Sequence, residues 1–355
     1  MTAVPVTARV PRGGRPGLAL AVAALALLVA VAIGTTTGAL HLPLGPTLLT
    51  LLDRLPGVHL DGGLDRLQAT VLLEIRLPRV LLAAVVGGML ATAGAGYQGV
   101  FRNPLADPYL LGAAAGAGLG ATLVIAYSPV RQLGPVGMVP LAAFAGALGG
   151  VALASVLGAL STRAGGAGNG ATLLLAGVAV ASFLTAAQTL VQQGHAENLR
   201  EVYSWLLGQL GTSSWDQLGL IAPYVVVSAA VLIACGRLLD VLAVGDDEAS
   251  ALGLRPARVR LLVLFAASLG TAAAVASAGL IGFVGLVVPH VVRRLAGTSY
   301  RIVLPVSLLG GAAFLVLADV VARSVLAPAE LPIGVVTAFV GAPFFAALLR
   351  LGSSS

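Results

Sequence analysis

Four hydrogen-bonding side chains stand out in an apolar stretch near residues 171–193, namely Ser182, Thr185, Gln188 and Gln192. Their spacing of three, three and four residues places them on one face of a helix otherwise made of Ala, Leu and Val. Polar groups inside a bilayer are costly unless they bond to other helices or line water. The pattern therefore predicts either hydrogen bonding between helices or the wall of a translocation path.

A second cluster is the charged segment between two apolar runs, which begins with Asp246, Asp247 and Glu248 and ends at Gly253 and Pro256. Acidic residues in a first turn and a Gly shortly before a Pro are typical of a short helix with a firm stop. The segment is predicted to be either a docking helix for a cytoplasmic partner or an ordinary solvated loop.

The remaining ionisable residues offer little chemistry. Asp319 and Arg323 are four residues apart in an apolar run, so an ion pair would offset the cost of burying either one. This pair alone is thin support for a proton relay. His290 precedes Arg293 and Arg294 and is expected to be a structural residue at the membrane interface.

Several functional classes lack their motifs. The sequence has no GxxxxGK[ST] loop, no HExxH and no nucleophile elbow, so no catalytic residue is expected and the chain is not predicted to hydrolyse ATP itself. One cysteine, Cys235, and four dispersed histidines predict no metal site and no cofactor bound by this chain. The net charge of +6 comes without a dense basic cluster, which argues against nucleic-acid binding.

Composition indicates the elements that must position these residues. The chain has 355 residues, 58% of them hydrophobic and 10% charged, and recurrent apolar runs are long enough to cross a bilayer as helices. The fold class is therefore an all-α polytopic membrane protein with about ten transmembrane helices. They are expected near residues 17–34, 79–99, 108–127, 135–160, 171–193, 217–236, 259–278, 280–295, 301–324 and 332–350.

Arginine placement orients the chain in the membrane. If the first apolar run is retained rather than cleaved as a signal peptide, both termini are cytoplasmic, and 13 of the 20 arginines lie on that side. A faint repeat at an offset of 185 residues aligns Ala91–Gly94 with Ala276–Gly279 and Pro104 with Pro289. It indicates either two inverted five-helix halves or chance similarity between Ala/Gly-rich helices.

Five motifs in this order resemble the FecCD family of ABC importer permeases, which serve iron–siderophore complexes, haem and vitamin B12. The similarity extends from about residue 76 to residue 349. The motifs are Arg76-Leu-Pro-Arg79, Gln98 through Pro108, Gly282 through Arg293, Asp319-x-x-Ala-Arg323, and Glu330-Leu-Pro-x-Gly334-x-x-Thr337.

The resemblance implies one permease domain over residues 1–355, with a cytoplasmic tail at 1–16 and a cytoplasmic coupling loop at 238–258. It implies a dimer with a second copy of the chain in the bacterial inner membrane. Two cytoplasmic ATPase subunits, which use ATP and Mg²⁺, and an extracytoplasmic substrate-binding protein are the implied partners.

The resemblance also assigns roles to individual residues. It places the predicted helix near residues 171–193, with Ser182, Thr185, Gln188 and Gln192, along the substrate pathway. It assigns coupling to the ATPase to Asp247, Ala249, Leu252 and Gly253. It assigns docking of the binding protein to Arg76, Arg79 and Arg323. It assigns a cytoplasmic gate to Asn169, Gly170 and Thr172.

Two questions stay open at this point. The stretch from Gln192 to Trp215 matches the family least and borders the outer mouth, so the cargo is an iron–siderophore or, alternatively, haem or cobalamin. His195 and Tyr203 could contact such a cargo, although a plain surface role is the simpler expectation. The competing functions are a secondary transporter driven by an ion gradient and a structural membrane scaffold.

Overall fold

The computed structural model is almost entirely helical. It describes residues 16–38, 40–54, 57, 59, 62–129, 132–133, 136–163, 170–211 and 213–352. The first half comprises α1 (Pro16–Thr36), α2 (Leu44–Asp53), α3 (Arg66–Thr70), α4 (Leu77–Phe101), α5 (Ala113–Tyr127), α6 (Met138–Arg163) and α7 (Gly170–Gly194). The second half comprises α8 (Leu199–Leu206), α9 (Trp215–Ala234), α10 (Gly236–Val244), α11 (Asp246–Ala251), α12 (Pro256–Ala278), α13 (Val284–Ala296), α14 (Tyr300–Ser324) and α15 (Ile333–Gly352).

Shorter elements join these helices. A π-helical turn, Val71–Arg76, leads from α3 into α4, and 3₁₀ turns cover Pro108–Leu111 and Ala196–Asn198. Two short antiparallel strands, β1 (Gln132–Leu133) and β2 (Val136–Gly137), precede α6.

The helices fit a membrane. Among the described residues, seven helical segments are long and apolar enough to span a bilayer. They are Pro16–Thr36, Arg66–Phe101, Met138–Ser161, Ala171–Gly194, Trp215–Ala234, Pro256–Ala278 and Tyr300–Ser324. Three shorter apolar helices accompany them, at Leu44–Asp53, Ala113–Tyr127 and Ile333–Leu348. The predicted class of an all-α polytopic membrane protein is confirmed.

The helix α4 forms the centre of the bundle, and 20 of its 25 residues are buried. Glycines allow its neighbours to approach closely, because a methyl group at Gly87 would overlap the Gly311 carbonyl oxygen of α14. A methyl group at Gly94 would likewise overlap Gly285 of α13. Small residues at helix contacts are the usual packing device in membranes, where apolar burial supplies little driving force.

The two halves pack in a reciprocal way. The helix α4 contacts α14, and α12, its counterpart in the second half, contacts α6. Both α4 and α12 are rich in buried residues and also contact each other. Each of these two buried helices thus packs against a helix of the other half.

Several sequence-based boundaries are wrong. The helix expected from residue 108 begins at Ala113, because Gly112 adopts a left-handed conformation that separates it from the preceding 3₁₀ turn. The segment at 238–258, predicted to be the coupling loop, contains the end of α10, the short helix α11 and the start of α12. The helix α8 was not expected, although Val202 and Trp205 form a buried face on it.

Candidate functional site

The segment after α10 forms the short helix that the sequence favoured. The helix α11 ends in a Schellman arrangement, in which the amide of Gly253 donates to the Ser250 carbonyl at 2.9 Å. The amide of Leu254 donates to the Ala249 carbonyl at 3.0 Å, and Gly253 has the positive φ of +82° that this stop requires. This geometry holds the intervening Leu252 in a fixed position.

The four predicted coupling residues divide into two groups. Ala249 is fully buried and belongs to the main hydrophobic core, so it fixes α11 to the bundle. Asp247 is exposed, and Leu252 is 72% exposed at the end of the helix. Leu252 is therefore held outside the core on a rigid helix cap.

Arg102 joins α11 to the end of α4. Its Nε donates to the Leu242 carbonyl at 2.8 Å, and its terminal nitrogen bonds to the Asp246 carboxylate. Asp246 also accepts from Arg260 of α12 at 2.6 Å, so one carboxylate serves two guanidinium groups. The hydrogen bond from Arg260 is the main reason why the pKa of Asp246 is lowered.

The backbone at Arg102 is itself unusual. Its φ of +50° is left-handed, which is uncommon for a residue other than glycine. Its contacts to Leu242 and Asp246 offset the cost of this conformation. We refer to this side of the bundle as the Arg102 end.

Arg79 lies at the opposite end of α4 and is saturated with carboxylates. Its Nε and one terminal nitrogen donate to Asp319 of α14 at 2.8–3.1 Å. Both terminal nitrogens donate to Glu330, at 2.8 and 2.9 Å. Asp319 is 1% exposed in its side chain, whereas Glu330 is 45% exposed and has a pKa lowered chiefly by Arg79. We refer to this side as the Arg79 end.

The other two predicted docking arginines lie nearby and are also used internally. Arg76 donates to the Thr35 and Thr36 carbonyls at 3.0 Å and to the Leu40 carbonyl, at the end of α1. Carbonyls at a helix C-terminus favour a cation. Arg323 donates to Gly34 at 2.5 Å and lies 3.4 Å from Asp319.

The structure therefore brings Arg76, Arg79 and Arg323 to one end of the bundle, but none extends freely into solvent. Each is between 5% and 9% exposed. The contact of Asp319 with Arg323 agrees with their spacing of four residues in the sequence. The stronger pairing of Asp319 with Arg79 was not predicted, because these residues are 240 positions apart. Glu330 belongs to the motif Glu330-Leu-Pro-x-Gly334-x-x-Thr337, but its spacing gave no indication that it contacts Arg79.

The polar face of α7 opens onto a cavity of about 440 Å³. Three of the four predicted pathway residues line it, Thr185, Gln188 and Gln192, together with Tyr109 and Tyr203. No charged side chain is among the described lining residues. The cavity can therefore offer hydrogen bonds and aromatic contacts to a cargo without binding it by charge.

Other candidates lie outside this cavity. Ser182 is exposed, and its hydroxyl donates to the Val178 carbonyl of its own helix at 2.9 Å. His195 contacts the Tyr127 ring edge to face. Of the predicted gate, Gly170 begins α7 and Thr172 lies in its first turn, whereas Asn169 and the tail at 1–15 fall outside the described residues.

The described residues contain no group of three or more His, Cys, Asp or Glu side chains that could hold a metal ion. Apolar spans, a polar helix face on a cavity and charged clusters at both bundle ends define the chain as a polytopic membrane permease. The FecCD transport family matches residues 20–351, and the chain belongs to this family.

Known relatives are similar over most of the chain. An uncharacterized ABC transporter permease protein, YvrB of Bacillus subtilis, is 40% identical over 91% of this chain and 90% of its own length. The cobalamin import permease BtuC of Halobacterium salinarum is 45% identical over 82% and 76%. The hemin transport permease HmuU of Yersinia pestis is 44% identical over 77% and 81%.

A solved structure supports the same fold. It is described as an inward-facing conformation of a metal-chelate type ABC transporter, and it superposes with a TM-score of 0.81 at 30% identity. The match covers 94% of this chain and 99% of the other. The family resemblance drawn from the five motifs is confirmed.

Proposed function

We propose that the chain is the membrane-spanning subunit of an ATP-driven importer for an iron–siderophore or related metal chelate, in the bacterial inner membrane. Haem and cobalamin are the alternative cargoes. The observation that carries the proposal is the cavity on the polar face of α7, which combines two tyrosines with hydrogen-bonding side chains. Such a wall suits a large chelate that must pass without being held.

The energy is supplied by a partner. Two ATPase subunits with ATP and Mg²⁺ are proposed to dock at the Arg102 end, where exposed Leu252 is held on a rigid cap. A displacement of α11 would be transmitted to α4 through the contacts of Arg102 with Leu242 and Asp246. This mechanical connection supports the coupling role of Asp247, Ala249, Leu252 and Gly253.

A binding protein is proposed to dock at the Arg79 end, with a second copy of the chain completing the pathway. Arg79 already binds Asp319 and Glu330, so a docking carboxylate has to replace one of them. Glu330 is the replaceable partner because its side chain is 45% exposed. Asn169, Gly170 and Thr172 remain the proposed cytoplasmic gate.

A gradient-driven mechanism is the weaker alternative. It would need a buried acid that gains and loses a proton during transport. Asp319 is buried, but its carboxylate already accepts hydrogen bonds from Arg79 and lies 3.4 Å from Arg323, so it is not a free acid in the bundle. This pairing favours the ATP-driven mechanism.

Uptake by proteoliposomes tests the proposal. The chain would be reconstituted with its ATPase and binding protein, and uptake of a ferric siderophore, haem and cobalamin would be compared. Thr185→Phe, which narrows the cavity, should reduce uptake at least about tenfold. Leu190→Phe is the control, because Leu190 is 75% exposed on the same helix and does not line the cavity.

The expected result is uptake of one chelate that requires internal ATP and is reduced at least about tenfold in the Thr185 variant alone. Gradient-driven uptake by this chain in vesicles without ATP would overturn the proposal. Equal uptake by the two phenylalanine variants would show that the cavity is not part of the substrate pathway.

A further inference from the structure

A second, larger opening lies on the outside of the bundle near the Arg102 end. It is a groove of about 530 Å³ bounded by the end of α4, by α6 and by α12. Small residues of α6 form its floor and larger apolar residues of α12 form one wall. The lining includes Ala152, Ser155, Ala159, Leu261, Leu264 and Phe265.

The rims of this groove are strongly apolar and exposed. On α6, Val156 is 57% and Leu160 is 55% exposed, and on α12, Leu261 is 69% and Phe265 is 65% exposed. All four lie within segments that are long and apolar enough to span a membrane. An exposed apolar band of this kind is the surface that faces hydrocarbon.

One charged residue, Arg260 of α12, is among the described residues that line the groove. Its carboxylate partner, Asp246, is shared with Arg102. The negative charge of Asp246 thus faces the positive charges of Arg102 and Arg260. Arg258 is also exposed and lies seven residues before Phe265, on the same side of α12. The carboxylates of Asp247 and Glu248 on α11 do not line the groove.

We propose that this groove binds an anionic phospholipid, with one acyl chain against α6 and α12 and the headgroup phosphate at Arg260. The apolar floor fits the acyl chain, and Arg260, whose partner Asp246 is shared with Arg102, complements the phosphate. A guanidinium group suits phosphate because it can donate two parallel hydrogen bonds. Since Arg260 also binds Asp246, the lipid would contact the attachment of α11 directly.

Lipid retention by the full-length chain tests this site. The protein would be reconstituted in nanodiscs with equal amounts of phosphatidylglycerol and phosphatidylcholine, and retained lipids would be counted by native mass spectrometry. Wild type should retain phosphatidylglycerol about fivefold over phosphatidylcholine, as expected for one basic residue near the headgroup. Arg260→Gln should bring the ratio to about one, whereas the control Arg294→Gln, at an exposed arginine of α13, should keep it.

A second pair of variants tests the apolar part. Ala152→Phe fills the groove and should lower the retention of both lipids, while Leu153→Phe, on the neighbouring lipid-facing position outside the groove, should not. Thermal unfolding of each variant checks that it folds, and Ala159→Phe replaces Ala152→Phe if it does not. Equal retention of the two lipids by wild type, or equal retention by Ala152→Phe and Leu153→Phe, would overturn the proposal.

Discussion

Ala249 and Leu252 lie three residues apart at the end of α11 and have opposite surroundings, since Ala249 is fully buried and Leu252 is 72% exposed. The first attaches the helix to the bundle, and the second is the residue proposed to contact the ATPase. This arrangement separates the residue that stabilises α11 from the residue proposed to bind the partner, so each can be changed alone.

Leu252→Asp should therefore uncouple the permease without unfolding it. We expect stimulation of the partner ATPase by the loaded binding protein to fall at least about tenfold, as for loss of a central apolar contact. The control is Leu295→Asp, because Leu295 is 80% exposed on α13 and lies outside α11. Normal stimulation in the Leu252 variant, with intact thermal unfolding, would refute the coupling assignment.

Asp319→Asn should strongly destabilise the Arg79 end. The change leaves Arg79 with Glu330 alone and Arg323 without its carboxylate, and breaking such a buried pair costs roughly 3–5 kcal/mol. A lower thermal unfolding temperature in detergent measures the effect. Asp247→Asn removes an exposed carboxylate and should leave that temperature nearly unchanged. Similar temperatures for both variants would show that the network contributes little to stability.

Two glycines of similar appearance should respond oppositely to alanine. At Gly94 the added methyl group meets Gly285, so Gly94→Ala should separate α4 from α13 and destabilise the chain by about 1–3 kcal/mol. Gly149 lies within α6 with open space around it, so Gly149→Ala should stabilise by about 0.5–1 kcal/mol. Thermal unfolding distinguishes the two, and destabilisation by both would contradict the packing described for α4.

The attachment of α11 should depend on pH. Arg260 lowers the pKa of Asp246 in the folded chain, so the ion pair contributes stability above about pH 4, the ordinary range of an aspartate. That contribution is lost as the pH falls through the lowered pKa. The stability difference between wild type and Asp246→Asn, about 0.2–1 kcal/mol for an exposed pair, should be present at pH 7. It should shrink below pH 4, and a difference independent of pH would exclude the pair as its source.

The sequence predicts the helices well because each apolar run is long enough to indicate a membrane-spanning helix without information from the rest of the chain. It also predicts the face of α7, since Thr185, Gln188 and Gln192 are related by helical spacing and share one cavity. The partners of Arg79 could not be predicted, because Asp319 and Glu330 are 240 and 251 residues away and no local pattern connects them. The short helix α8 was missed because its eight residues carry only two buried side chains.

The separation of Arg79 from Asp319 in the sequence has a consequence for the synthesis and membrane insertion of the chain. At about 5–20 residues per second, the ribosome takes roughly 10–50 s to make the 240 residues between them. During that time α4, the most deeply buried helix of the folded protein, carries the positive charge of Arg79, while the carboxylate of Asp319 has not yet been synthesised. We therefore expect α4 to stay in contact with the membrane insertion machinery, rather than with lipid alone, until α14 has been synthesised.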